Sequence, residues 1–310
     1  MTHRTPNIFV VGAGPVATAL AGALRLRGLP VLGLWARKPA AARAAGAVAG
    51  VAAYSAAPPD LLLEADIVLV AVQDDAIREV STMLIGTGML TSRHVLLHCS
   101  GAFGAAEAFG DVQGRVGGTG TLHPLRAIAD ARNAMRTMKG TVFGIEGDER
   151  GRAMATALVA SVGGVALELD GRHMAAYHAA AAMASNYVVA LIDAAAKALR
   201  ATGISEEQAL AALVPLAQGA LANVAERGIA AGLTGPIRRG DELTVARHLE
   251  ALGDHPELVE LYRVLGQGTV QIAQRLEGPD APDPTSLEAI RQRLGTGDPQ
   301  VGAAPRAATR

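Results

Sequence analysis

The sequence predicts an α/β N-terminal domain with a mostly parallel sheet, followed by an all-α C-terminal domain. Two observations carry this prediction. Up to about residue 168, short runs rich in Val, Ile and Leu alternate with helical segments, a pattern typical of parallel strands joined by right-handed crossovers. From Gly171 onward the chain is rich in Ala and Leu at helical spacing, and the strand pattern ends.

The strongest strand signal in the first half is ADIVLVAV at residues 65–72, after which Gln73, Asp74 and Asp75 open a helix. Other strands are predicted at residues 7–11, 30–37, 93–101, 116–125, 140–147 and 163–169. Helices are predicted at residues 15–28, 39–47 and 148–162.

In the second half, residues 172–201 form one predicted helix of about 30 residues, or roughly 45 Å. Ser205 is the predicted N-cap of the next helix, because two glutamates follow it. Further helices are predicted near residues 241–252 and 255–276, with a short helical patch at SLEAIRQRL. The predicted division is residues 1–168, the nucleotide-binding domain, 169–277, a helical substrate and dimerisation domain, and 278–310, a flexible tail.

Charge and cysteine content exclude several classes of protein. The 28 basic and 29 acidic residues give a net charge of −1, which leaves no electrostatic footprint for nucleic acid. The one cysteine, Cys99, excludes an intrachain disulfide and fits a reducing cytoplasm. The apolar start resembles a secretory signal, but a strand, turn and helix explain the same letters better. No stretch is expected to be apolar enough to span a membrane, so a cytoplasmic protein is predicted.

The turn after the first strand carries a dinucleotide-binding fingerprint, Gly12-x-Gly14-x-x-Ala17. Gly12 permits the tight turn, Gly14 lets the backbone approach a pyrophosphate, and Ala17 lets helix and strand pack closely. The helix that begins near Pro15 and Val16 would offer its free N–H groups to the phosphates. A Rossmann-like domain that binds no nucleotide is the weaker alternative, because the motif lies between a predicted strand and a predicted helix.

The end of the second strand favours NADP (NADPH) over NAD. NAD-binding chains usually carry an acidic residue there, whereas this chain has Trp35, Ala36, Arg37 and Lys38. A guanidinium suits a 2′-phosphate and stacks on adenine. The alternative is an ordinary solvated basic turn.

Six segments together resemble a bacterial family of Rossmann-like oxidoreductases with a C-terminal domain of unknown function. They are VGAGPVATAL, ADIVLVAVQDDAI, LHCSGA, GTLHPL, YHAAAAMASNYVVAL and LTGPIRRGD, spread over residues 7–265. The family is similar to the wider superfamily of 6-phosphogluconate-dehydrogenase-like and pyrroline-carboxylate-reductase-like enzymes. The resemblance implies a Rossmann domain, a helical domain that often forms dimers, and reductase chemistry.

The resemblance also implies roles for particular residues. The loop at Val72, Gln73 and Asp74 would pass the nicotinamide, and the turn at Ser100 and Gly101 would contact substrate. Hydroxy-acid dehydrogenases of the superfamily carry a Lys four residues before an Asn on the first long helix of the second domain. Asn186 is the matching Asn here, but Ala182 stands where the Lys would be, which puts a simple copy of that mechanism in doubt.

The long predicted helix places His178, Ser185 and Asn186 within an arc of about 100° that is otherwise lined by small residues. Small neighbours leave room for a ligand, and His gives a proton near neutral pH. Tyr177 lies about 100° away from this face and ranks second. The alternative is a buried helix whose His and Asn bond to nearby backbone.

His123 is a second candidate proton donor. GTLHPL places it at a strand end, at the edge where open α/β sheets bind ligands, and Pro124 holds the residue before it extended. A turn histidine without a functional role is an equal alternative. The three histidines at 98, 123 and 178 do not predict a metal site, because no metal-binding pair with a third ligand accompanies them.

These residues predict reduction of a C=O or C=N bond in a small, carboxylate-bearing metabolite, such as a ketopantoate-like 2-oxo acid or a cyclic imine. His178 is the favoured proton donor, with Asn186 and Ser100 positioning the substrate. Arg239, with Thr234 nearby, is predicted to clamp the substrate carboxylate, Arg238 to be a solvated charge, and Asp241 to cap the following helix. A non-catalytic NADP-binding regulator and a mainly structural helical dimer are the alternatives; a homodimer through the C-terminal helices is expected.

Overall fold

The computed structural model describes residues 4–279 and 281–295. Within them one eight-stranded sheet has the order β3-β2-β1-β4-β5-β6-β7-β8. Its strands are β1 Ile8–Val11, β2 Val31–Trp35, β3 Ala53–Tyr54, β4 Ile67–Val70, β5 Val95–His98, β6 Gly118–Pro124, β7 Val142–Gly147 and β8 Val165–Glu168. Neighbouring strands are parallel except β6 and β7, which are antiparallel. The predicted fold class, a mostly parallel sheet followed by helices, is confirmed.

The helices follow the same order as the sequence pattern. They are α1 Pro15–Leu26, α2 Pro39–Ala49, α3 Ile77–Gly86, α4 Ala105–Phe109, α5 Ala131–Arg136, α6 Glu149–Ser161, α7 Met174–Ala184, α8 Asn186–Arg200, α9 Glu206–Arg227, α10 Ile229–Gly232, α11 Glu242–Ala251, α12 Pro256–Ala273 and α13 Pro284–Gly295. The sequence pattern did not predict the strand β3 or the short helices α4, α5 and α10, because segments of this length carry too few periodic positions.

Alternate residues of the central strands bury two separate cores. Ile8 and Val10 of β1 belong to the core that α1, α2 and α6 cover, whereas Phe9 and Val11 belong to the core under α3 and α4. Side chains of successive strand residues point to opposite faces, so a sheet covered on both faces needs continuous apolar strands. The run ADIVLVAV has this property, which explains why its strand was the clearest signal.

The chain divides into two compact units, Met1–Asn186 and Tyr187–Arg310. The division falls after the predicted boundary at residue 168, because Tyr177 on α7 packs against His123 and Gly144 of the sheet. The predicted single helix over 172–201 is interrupted at Ser185, whose φ of −122° and ψ of −73° end α7. Serine competes with the helical ladder for backbone hydrogen bonds, so it is a common residue at helix ends.

The second unit has its own core, which includes Val245, Val270 and Ile290. Ile290 lies on α13, where Leu287 and Leu294 are also buried. The short helix predicted at SLEAIRQRL is therefore confirmed, but the prediction that residues 284–295 belong to a flexible tail is wrong. The rest of that prediction, at residues 296–310, falls outside the described part of the chain.

Two helical segments, Gly171–Arg200 and Glu206–Arg227, are long and apolar enough to cross a membrane by length and composition. Their mean hydropathies are 1.4 and 1.3, so the expectation that no stretch reaches this level is wrong. Only 6% of each apolar window is buried. One or two such helices are weak evidence for a membrane span, and a cytoplasmic location stays a prediction.

Candidate active site

A cavity of about 500 Å³ opens at the carboxyl ends of β1, β2, β4 and β5. Every residue predicted to bind the cofactor lines it except Ala17: Gly12, Gly14, Pro15, Val16, Arg37, Lys38, Val72, Gln73 and Asp74. Ala17 is fully buried on α1, which is where a small residue allows close packing of the helix on the sheet. The sheet edge is the one at which open α/β folds bind ligands.

The two fingerprint glycines differ in what surrounds them. Gly12 has a φ of +132°, and a Cβ on it would lie 2.2 Å from the carbonyl oxygen of Ala71. A Cβ on Gly14 would meet nothing within 4 Å, because it would project into open space at the N-terminus of α1. That open space beside free N–H groups fits a diphosphate, so the loop fits a dinucleotide.

Arg37 and Lys38 line the cavity after the end of β2. The Arg37 guanidinium lies 3.9 Å from the Glu79 carboxylate, with 67% of the arginine side chain exposed. A pair this long and this exposed holds the arginine weakly. The guanidinium is therefore free to turn toward a phosphate.

His123, Tyr177 and His178 form a cluster at the end of β6, hereafter the histidine cluster. Nδ1 of His123 lies 2.8 Å from Oη of Tyr177, and the centroids of the two imidazoles are 5.8 Å apart. A Cβ on Gly101 would lie 2.8 Å from Cε1 of His123 and 2.8 Å from Nδ1 of His178. Both predicted proton donors therefore meet at the Ser100–Gly101 turn.

Sequence reasoning ranked Tyr177 second, because residues at 177 and 178 lie about 100° apart on a helix. Both side chains reach His123 because the first turn of α7 lies across β6 and β7. The glycine at position 144 is the feature of the sequence that could have indicated this contact. A Cβ on Gly144 would lie 2.6 Å from Oη of Tyr177. A glycine in a strand often marks a close approach of this kind.

Ser185 and Asn186 line a second cavity of about 830 Å³ together with His123, Tyr177 and His178. Ala180, Ala181, Ala182 and Ala184 contribute small side chains to its wall. The predicted face of α7 therefore borders a space large enough for a small metabolite. The alternative of a buried helix is wrong, since His178 and Asn186 are exposed.

The Ser100–Gly101 turn borders the cofactor cavity and contacts the histidine cluster, whose residues line the second cavity. Ser100 is buried, lines the cofactor cavity, and accepts a hydrogen bond from the N–H of Ala102 at 3.1 Å. Cys99 beside it also lines that cavity, and burial raises the pKa of its thiol to about 12. Because the thiolate is the nucleophile, Cys99 does not act as one.

His98 is buried in a polar chain under this turn. Nε2 of His98 lies 3.0 Å from Oγ1 of Thr121, which donates to Glu146 at 3.2 Å. The same carboxylate accepts the N–H of Ala105 at the start of α4, at 2.8 Å. Burial, and then the charge of His123, lower the pKa of His98 to about 4. His98 is thus neutral at pH 7 and supports the turn from below.

The second unit holds the remaining predicted substrate ligands. Thr234 lines a mainly apolar cavity of about 370 Å³ within that unit, and Arg239 is exposed. Arg238 donates to the carbonyl oxygen of Leu233 at 3.0 Å, so the prediction that it is an ordinary solvated charge is wrong. Asp241 caps α11 as predicted, accepting the N–H of Thr244 at 3.0 Å.

Among the described residues, no group of three His, Cys, Asp or Glu side chains is placed to hold a metal ion.

Comparisons with known proteins show which family and which folds the chain is similar to. Residues 141–269 match the family DUF2520, described as a domain of unknown function. One similar structure, from Bacteroides fragilis, carries a provisional assignment as an NADP oxidoreductase. It is 22% identical to this chain with a TM-score of 0.66, and the match covers 85% of this chain and 97% of that one. Protein TM1727 from Thermotoga maritima is 25% identical with a TM-score of 0.67, covering 86% and 98%.

A pyrroline carboxylate reductase from Plasmodium falciparum, with NADP bound, is 15% identical with a TM-score of 0.55, and the match covers 93% of this chain and 97% of that one. No curated protein matches the chain. The predicted C-terminal domain of unknown function is confirmed by the family match, and the predicted Rossmann-like fold by these structures.

Proposed function

We propose that the chain is an NADP-dependent oxidoreductase that reduces a C=O or C=N bond of a small, carboxylate-bearing metabolite. A ketopantoate-like 2-oxo acid and a cyclic imine are the two substrate classes considered. One observation carries the proposal: the Ser100–Gly101 turn borders the cofactor cavity on one side and contacts the histidine cluster on the other. The neighbours from Bacteroides fragilis and Plasmodium falciparum, named for NADP, support the choice of cofactor.

Each part of the cofactor has a fitting set of residues. Gly14 and the N-terminus of α1 would hold the diphosphate, and Arg37 with Lys38 the 2′-phosphate. Val72, Gln73 and Asp74 would pass the nicotinamide, which supplies a hydride when bound in its reduced form.

The substrate would lie against the histidine cluster. Asn186, Ser185 and Ser100 would position it by hydrogen bonds, and His123 or His178 would supply the proton. Thr234 and Arg239, in the second unit, stay predicted ligands of the substrate carboxylate.

Binding of the two cofactors tests the first half of the proposal. Wild-type protein is expected to bind NADPH at least about tenfold more tightly than NADH, because a guanidinium–phosphate bond contributes about 1.5–3 kcal/mol. Replacing Arg37 by Gln should remove most of that preference. Arg43→Gln is the matched control, since Arg43 is exposed on α2 and does not line the cavity. Calorimetric titration of both cofactors measures the ratio.

Turnover tests the second half. Oxidation of NADPH in the presence of 2-oxo acids and cyclic imines should proceed with at least one of them. Tight NADPH binding without turnover of any of them would favour a non-catalytic regulatory protein. Absence of NADPH binding would contradict the oxidoreductase proposal and leave the structural dimer.

A further inference from the structure

Tyr177 is placed to donate its hydroxyl hydrogen to His123. Oη of Tyr177 lies 2.8 Å from Nδ1 of His123, with the ring planes at 88°. Burial raises the pKa of Tyr177, so its hydroxyl keeps its hydrogen at neutral pH. A hydroxyl this close to a ring nitrogen can donate that hydrogen to it, with Nδ1 as the acceptor.

The hydrogen of His123 is therefore on Nε2. Burial and the charge of His178 lower the pKa of His123 to about 4, while Asp74 raises it. The imidazole is neutral at pH 7 and carries one hydrogen. Because Nδ1 accepts the tyrosine hydroxyl, that hydrogen must be on the other nitrogen.

Nε2 of His123 faces the Ser100–Gly101 turn. A Cβ on Gly101 would lie 2.9 Å from Nε2 of His123 and 2.8 Å from Nδ1 of His178. Glycine at this position thus allows both imidazole edges to approach the turn. Ser100, the preceding residue, lines the cofactor cavity.

A neutral imidazole alone is a weak acid, because loss of its only N–H hydrogen leaves an imidazolate. The hydrogen bond from Tyr177 removes this difficulty. If Nδ1 takes the tyrosine hydrogen as Nε2 gives up its own, the imidazole stays neutral throughout.

We propose that Tyr177 and His123 form a proton relay, in which Nε2–H of His123 protonates the substrate and Tyr177 replaces that proton through Nδ1. The inference rests on the proposed reductase function. The substrate carbon gains the hydride that the reduced nicotinamide supplies, and the π electron pair moves to the oxygen or nitrogen, which takes the proton of Nε2. The phenolate left on Tyr177 takes its hydrogen back from Nδ1 as Nε2 takes a proton from water, which restores the starting tautomer. His178 then contacts the substrate without donating the proton.

The tautomer of His123 tests the relay without any substrate. In ¹⁵N NMR spectra of the wild-type chain at pH 7, His123 is expected to show a single tautomer, with its hydrogen on Nε2. The signals of His123 are assigned by their absence from the spectrum of His123→Gln. Tyr177→Phe, which keeps the ring and removes the donor, should add the Nδ1–H tautomer. Tyr187→Phe is the matched control, since Tyr187 is 63% exposed, and should leave the signals unchanged. A wild-type Nδ1–H tautomer, or an unchanged tautomer in Tyr177→Phe, would overturn the relay.

Turnover provides the second measurement. With any substrate that the wild type reduces, Tyr177→Phe should lower kcat about 100-fold. Its KM and its NADPH affinity should stay close to wild-type values, because Tyr177 acts through His123. A wild-type kcat in Tyr177→Phe would overturn the relay while leaving the reductase function intact. A wild type that reduces no substrate would instead overturn the reductase function, whatever the tautomer of His123.

Discussion

At the scale of single residues, Gly12 and Gly14 show how far a sequence motif determines function. The fingerprint assigns one glycine to the turn and the other to the phosphate, and their surroundings differ accordingly. Gly12 has a positive φ and a backbone oxygen where a Cβ would be, whereas Gly14 has an ordinary φ of −75° and open space. We propose that Gly12 serves the fold and Gly14 the binding of the cofactor.

Alanine at each position separates the two roles. Gly12→Ala should destabilise the chain by about 3 kcal/mol or more, because it combines a strained φ with an overlap against backbone. Gly14→Ala should leave the free energy of unfolding within about 1 kcal/mol of wild type and weaken NADPH binding at least about tenfold. Urea denaturation and NADPH titration measure the two effects. Equal stability of the two variants would contradict the assignment.

The histidine cluster shows what single-residue patterns could not predict. The sequence indicates His123 and His178 as separate candidates, but it does not predict that they lie in contact. Likewise, the hydrogen bond between His123 and Tyr177 joins residues 54 positions apart in the chain. Their contact depends on β7 running antiparallel to β6, which brings Gly144 opposite His123. A strand direction of this kind leaves no mark on local hydrophobic spacing.

At the scale of elements, the first residues of helices were predicted well where an N-cap residue precedes them. Ser205 forms a capping box with Gln208, and Asp241 caps α11. The sequence pattern predicted the helix α13 at SLEAIRQRL but not its packing, because the surrounding Pro, Gly and Asp suggested a loose segment. Leu287, Ile290 and Leu294 of this helix are buried.

The packing of α13 predicts a stability effect. Ile290→Ala should lower the free energy of unfolding of the second unit by about 2–4 kcal/mol, because Ile290 is fully buried in its core. Gln292→Ala is the control, since Gln292 is exposed on the same helix and should change stability by less than about 0.5 kcal/mol. Chemical denaturation followed by circular dichroism measures both. A neutral Ile290→Ala would restore the flexible-tail prediction.

At the scale of the whole molecule, the second unit exposes an unusual amount of apolar surface. Val189, Leu216 and Leu243 are each at least 70% exposed, on α8, α9 and α11. Many large apolar side chains in water often mark a surface that a partner covers. We propose that a second copy of the chain covers these helices, as the sequence resemblance predicts.

The homodimer has a direct test. Wild-type protein should sediment at twice the monomer mass, and Leu216→Glu should shift it toward the monomer by placing a charge in the contact. Leu26→Glu changes an exposed leucine of the first unit and should leave the mass unchanged. A monomeric wild type at micromolar concentration would contradict the proposal.

Cys99 has a practical consequence for such measurements. Because burial raises the pKa of its thiol to about 12, almost none of Cys99 is ionised at pH 8. Maleimide reagents attack the thiolate, so the native chain should remain unlabelled under ordinary conditions. A cysteine placed on α9 would then be the single site of attachment for a fluorophore. The wild-type chain should then give no labelling signal of its own.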